Sequence, residues 1–142
     1  MTGWDMRQPP SIDEELARWT LAAPPQLHGL RAALQQAVID QSDAADPMDL
    51  AERLTIVATE LAGNALRHAQ PPTVVALQRS DGKFVVVVLD NAAGSAPAVA
   101  DNRGAGEGGL GLVLAQRLAQ DVGWYLTDTG KGVWATFALT GN

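Results

Sequence analysis

The stretch from Asp46 to Pro72 constrains the fold more than any other. Asp46 can cap a helix and Pro47 suits its first position. Pro71-Pro72 stops the helix after about Ala69. Between these signals Leu50, Leu54, Val57 and Leu61 recur at helical spacing, so Pro47 to Ala69 is predicted as one amphipathic helix. Such a helix must bury its apolar stripe against a second layer. Polar groups interrupt that stripe. With Glu60 at zero, Asn64 falls near 40° and His68 near 80°, against about 60° to 120° for Val57, Leu50, Leu61 and Leu54 at roughly 100° per residue. Glu52, Thr55 and Thr59 fall on the opposite side.

Two readings of the Glu60–Asn64–His68 row remain open on these grounds. The groups can satisfy one another in a closed core, or the stripe can line a pocket between helix and sheet. An unpaired buried amide costs roughly 1–3 kcal/mol, so either reading demands partners. His68, near the helix end, is explained by packing and the helix dipole without any catalytic role.

The rest of the chain supplies the second layer. Residues 1–15 are polar, contain Pro9-Pro10 and have no period, which reads as a flexible tail or docking arm ahead of one domain over 16–142. Arg18 to Ala22 reads as a short strand ended by Pro24-Pro25, and Gln26 to Gln41 as a helix with Leu27, Leu30, Leu34 and Val38 on one face. Thr73–Arg79 and Lys83–Leu89 read as a hairpin turning at Ser80-Asp81-Gly82. A third helix is expected from about Leu110 to Val122. A last hairpin is expected from Trp124–Thr127 and Gly132–Leu139. The order β-α-α-β-β-loop-α-β-β has hairpins in place of repeated crossovers. It predicts an α/β two-layer sandwich: a mainly antiparallel mixed sheet with three helices on one face.

Composition narrows the function. Ten Lys and Arg stand against 16 Asp and Glu, for a net charge of -6. That argues against nucleic-acid backbones and anionic membranes as partners. The chain has no cysteine, so thiolate catalysis and structural zinc clusters are excluded. No apolar run approaches the roughly 20 residues of a membrane span, and a cytoplasmic location is expected.

Two further segments carry chemistry. Phe84 to Leu89 is a continuous apolar run ending in Asp90, followed by Asn91-Ala92-Ala93-Gly94. Asp90 either opens a turn or accepts from an exocyclic amine such as that of adenine. The segment Gly104 to Leu112 is glycine-rich and leads into a helix, an arrangement suited to phosphate. Gly106, Gly108 and Gly111 match G-x-G-x-x-G, but no strand precedes them and no βαβ unit is built, so a dinucleotide fold is not expected.

Together these stretches resemble the GHKL (Bergerat-fold) ATP-binding superfamily, and more narrowly its small single-domain anti-sigma-factor serine kinases. Glu60 to Ala69 resembles the N box, Asp90 to Gly94 the first glycine box and Gly106 to Leu112 the second. Gly130 to Trp134 resembles the closing hairpin. The resemblance implies the Bergerat fold, ATP and Mg²⁺ as cofactors, and a catalytic base at Glu60. It implies Asn64 as the Mg²⁺ ligand, Asp90 on the adenine amine and Gly94 beside the base. It implies phosphate contacts from Gly106, Gly108, Gly109, Leu110 and Gly111, with Arg103 as a candidate for the γ-phosphate. The implied activity is phosphorylation of an anti-anti-sigma antagonist and sequestration of a sigma factor, with a homodimer as assembly. Three positions depart from the pattern: Ala92, Glu107 and Gly132, where glycine replaces a common Thr or Ser. They motivate an alternative, a non-catalytic module of the same fold that sequesters a regulator with weak or absent ATP.

Overall fold

A computed structural model of the chain describes residues 6–42, 45–68, 72–91 and 109–138; the side chains of His68 and of residues 109–112 lie outside this description. The elements in order are β1 (Glu14–Leu21), α1 (Leu27–Gln41), α2 (Pro47–His68), β2 (Thr73–Ser80), β3 (Lys83–Asp90), α3 (Gly109–Leu118), β4 (Asp121–Leu126) and β5 (Lys131–Ala138). They form the expected α/β sandwich. The sheet order is β1-β2-β3-β5-β4, and all four pairings are antiparallel.

Local chemistry sets the boundaries. Asp46 caps α2 as expected: its Oδ1 accepts from the Asp49 amide at 3.1 Å, and its carbonyl from the Leu50 amide at 3.3 Å. The β2–β3 turn is Asp81-Gly82, with φ of 43° and 77° between the paired Ser80 and Lys83. Two successive positive φ values match a right-twisted hairpin, and Asp and Gly are residues that tolerate them. After β1 the chain turns at Pro24–Gln26, where the Gln26 side-chain oxygen accepts from the Ala22 and Ala23 amides at 2.6 and 3.0 Å.

Strand alternation divides the core into two faces. Val75, Leu77, Phe84, Val86, Val88, Val133, Ala135 and Phe137 share one cluster with Leu50, Leu54, Val57 and Leu61 of α2 and Leu30, Leu34 and Val38 of α1. Val85, Val87 and Trp134 form a second cluster on the outer face, with Leu89 and Tyr125 against it.

Three expectations are corrected. β1 begins at Glu14, so the last residues assigned to the tail belong to an edge strand. α3 ends at Leu118 and β4 begins at Asp121, where the sequence suggested a helix to Val122 and a strand from Trp124. Val122 fits helical spacing from Leu118, but it also alternates with Trp124, and both pack on the core from the strand. Thr55, expected on the polar side of α2, is 3% exposed. The wheel assumed a single covering layer, whereas α2 contacts α1, α3 and the sheet.

The segment before β1 also has structure. Met6 bridges Trp124, and the Arg7 amide donates to the Trp124 carbonyl at 2.8 Å. The Arg7 carbonyl accepts from Trp134 Nε1 at 2.9 Å, and the guanidinium lies 5.4 Å from that ring's centroid. Further along, the Ser11 carbonyl accepts from Ser80 Oγ at 2.6 Å and the Asp13 amide donates to the Arg79 carbonyl at 2.7 Å. Residues 6–13 therefore cross the outer face from the β4 edge to β2 as a strap. Its Arg7 covers Trp134, which is 1% exposed, while Leu89 and Tyr125 pack against the cluster that Trp134 forms with Val85 and Val87.

Candidate functional site

The antiparallel register lines up one end of the sheet. Leu21 pairs with Thr73, Asp90 with Lys131, and Leu126 with Lys131. Val74 pairs with Leu89, so the preceding Thr73 stands beside Asp90. Alternation puts Thr73, Asp90 and Lys131 on the helix-facing side, in step with Val75, Val88 and Val133.

Both helices bearing candidate residues point to this end. Only residues 69–72 separate His68 from Thr73, so α2 finishes here, with Glu60 and Asn64 in its last turns. α3 leads into Asp121, which pairs with Thr136 at the opposite end of the sheet. Its ten residues span about 15 Å, so Gly109, Leu110 and Gly111 open the helix toward the Asp90 end. The first amides of a helix lack intrahelical acceptors and carry the positive end of its dipole.

The side chains differ in state. Glu60 is exposed, while Asn64 is half-buried with its Oδ1 buried and no partner among the described residues. Asp90 is the only buried carboxylate among the described residues, and Lys131 the only buried cation. They pair: Lys131 Nζ lies 3.2 Å from Asp90 Oδ2, with side chains 10% and 2% exposed. Thr73 is fully buried, and its Oγ1 has no partner among the described residues. A cavity of about 450 Å³ borders this end, lined by Pro72, Val74, Leu89, Asp90, Asn91 and the turn Thr127–Thr129. Its aliphatic wall, Val74 and Leu89, alternates with the helix-facing Val75 and Val88, so the cavity opens on the outer face of the sheet and not on the side of Thr73, Lys131 and the helices.

Gly130 holds the turn against this end. A Cβ there would overlap the Asp90 carbonyl oxygen and stand 2.6 Å from its carbon and 2.7 Å from Asn91 Cα. Thr127 Oγ1 accepts from the Gly130 amide, and the Thr127 amide donates to the Gly130 carbonyl, each at 2.9 Å. Gly132 has a different surrounding from the one its motif position implied. It faces the outer side, where a Cβ would meet the Tyr125 ring at 2.5 Å, so a hydroxyl at that position would not project toward Asp90.

Of the predicted residues, Glu60, Asn64, Asp90, Gly109, Leu110 and Gly111 are thus brought to one end of the fold. Gly94, Arg103, Gly106 and Gly108 lie outside the described residues. Lys131 and Thr73 are site residues that sequence reasoning did not single out. The available signal for Lys131 was a cation leading an otherwise apolar strand.

The donor set fits the groups the resemblance implies. Asn64 Oδ1 is a hard oxygen with no partner among the described residues, and amide-rich helix starts suit phosphate. Among the described residues no cluster of three or more His, Cys, Asp or Glu could hold a metal alone. Among the same residues no helix is long and apolar enough to cross a membrane.

No curated protein matches the chain. The family model described as a histidine kinase-like ATPase domain matches residues 20–137, which runs from the end of β1 to the end of β5 and takes in every described site residue. With the match covering most of its length and the fold and site in accord, the chain belongs to the histidine kinase-like ATPase domain family, whose members bind ATP.

Proposed function

We propose that the protein is an ATP-dependent serine kinase that phosphorylates an anti-anti-sigma antagonist and, in its alternative state, sequesters a sigma factor. The observation that carries the nucleotide part is Asn64 Oδ1, a buried acceptor with no partner among the described residues, at the end of the fold that also holds Asp90 and the α3 N-terminus. Asp90 would accept from the adenine amine, Gly109 and Gly111 would present amides to phosphate, and Asn64 would hold Mg²⁺. When bound, Mg²⁺ offsets phosphate charge. Glu60 is exposed, which leaves it accessible to a protein substrate. Its carboxylate would take the proton of an incoming serine hydroxyl as that oxygen bonds to the γ-phosphorus and the bond from phosphorus to the β–γ bridging oxygen breaks, ADP leaving with that electron pair. Phosphoryl transfer is largely positioning plus charge neutralisation, so this set suffices. Incubation with γ-labelled ATP and an antagonist encoded beside the protein tests the claim. The antagonist acquires label, and Glu60→Ala abolishes it; absent or unchanged labelling refutes the kinase.

A second reading has an observation of its own. The Asp90 carboxylate is already engaged by Lys131, as a module that binds regulators with little or no nucleotide would permit. Calorimetry with ATP and Mg²⁺ separates the two, since micromolar binding lost in Asn64→Ala excludes a nucleotide-free module.

A further inference from the structure

A buried ion pair is a poor way to stabilise a fold, because desolvating both charges offsets most of their attraction. Asp90 and Lys131 make such a pair at a strand end. On the other side of Asp90 stands the Thr73 hydroxyl, buried and with no partner among the described residues. Across β2, β3 and β5 the row therefore reads hydroxyl, carboxylate, ammonium. In hydrogen-bonding terms it presents a hydroxyl that can donate or accept, an acceptor and a donor.

The six-membered edge of adenine, continued to N7, reads N1 acceptor, N6 donor, N7 acceptor, the complement of that row. Guanine places an N1–H donor and an O6 acceptor at the first two positions. Against the same row the hydroxyl can turn to accept from N1–H, but O6 sets an acceptor against the Asp90 carboxylate. We infer that Lys131 is a base-reading residue, donating from Nζ to the purine ring nitrogen beside the amine that Asp90 accepts, and that it thereby selects adenine. The inference rests on the ATP-site reading and adds to it a ligand from β5, where Lys131 stays paired with Asp90 while bonded to the base.

The test uses calorimetry on the full chain with ATP, 1-deaza-ATP and 7-deaza-ATP. Wild type binds one deaza analogue about tenfold more weakly than ATP, the loss of one charge-assisted hydrogen bond. Lys131→Met weakens ATP by a similar factor but leaves that analogue's affinity unchanged, because its partner nitrogen is already absent. Lys131→Arg, which keeps a donor, retains part of the preference. The inference is overturned if both analogues bind wild type as tightly as ATP does, or if Lys131→Met weakens all three ligands equally or tightens ATP. The analogue series on wild type needs no variant, so it stands even if Lys131→Met fails to fold. No ATP binding to wild type refutes the ATP-site reading itself, and this assignment with it. ATP binding with no analogue preference refutes the Lys131 assignment alone.

Discussion

Gly130→Ala separates the architecture of the site from the stability of the fold. The added Cβ would lie 2.6 Å from the Asp90 carbonyl carbon and 2.7 Å from Asn91 Cα, where real Cβ atoms keep beyond 3.0 Å. The obstruction is backbone at the end of β3, so no side chain can rotate away. The β4–β5 turn must retreat, and it retreats at the rung where Asp90 pairs with Lys131. Overpacking of this kind costs about 1–3 kcal/mol, read as a lower urea midpoint by fluorescence of the chain's 4 Trp residues. Separating the two charged groups also weakens ATP about tenfold, or about 1.4 kcal/mol. Gly123→Ala is the control. Its Cβ would meet Trp134 Cζ2 at 2.6 Å and Nε1 at 2.9 Å, on the outer face. It loses comparable stability and binds ATP as wild type does. The reasoning fails if Gly130→Ala is as stable as wild type, or if both variants lower ATP affinity equally.

Other outcomes follow from the strap, the hairpin and the helix cap. Arg7→Ala removes a half-exposed pair with Asp121 at 2.5 Å and the Trp134 ring contact, costing about 1 kcal/mol by urea unfolding at pH 7. The Arg7 guanidinium holds the Asp121 carboxyl below its ordinary value, aided by the Val122 amide and opposed by burial. A lowered carboxyl stabilises above its unfolded value, about 3.9, and loses that contribution as pH falls through the folded value. The gap between wild type and Arg7→Ala therefore narrows below about pH 4; a gap that is constant or widens on acidification contradicts the pairing. Gly132→Ser displaces the half-buried Tyr125 ring on the outer face and leaves ATP affinity within about twofold, since the residue faces away from Asp90. A large gain in ATP affinity would refute that placement. Asp46→Ala removes the α2 cap for about 1 kcal/mol with no change in ATP binding. An unchanged urea midpoint would contradict it.

What the sequence revealed depended on how local the determinant was. The Asp46-Pro47 start, the apolar stripe of α2 and the Asp81-Gly82 turn each act within a few residues, and the structure keeps all three. The strap was less legible because residues 6–13 attach chiefly through backbone groups and one arginine, and so leave no periodic pattern. A sign of it was present in Phe84 to Leu89. A run without alternation, placed in an antiparallel sheet, requires cover on both faces. The α3–β4 junction misled because Val122 satisfies two periods at once, and only packing decides between them. At the site, Asp90 and Asn64 stood out as polar groups against apolar surroundings. Lys131 resembled a turn residue until the register of β3 and β5 set it against Asp90.

The central claim is that the Asp90 end of the sheet binds ATP, with Asn64 serving the metal. Calorimetric titration of ATP with and without Mg²⁺ into wild type, Asn64→Ala and Asp90→Asn tests it most directly. Wild type binds one ATP per chain and more tightly with Mg²⁺. Asn64→Ala loses the Mg²⁺-dependent gain but keeps metal-free binding, and Asp90→Asn weakens both. No binding by wild type, or equal affinities and equal Mg²⁺ dependence in all three proteins, would contradict the account.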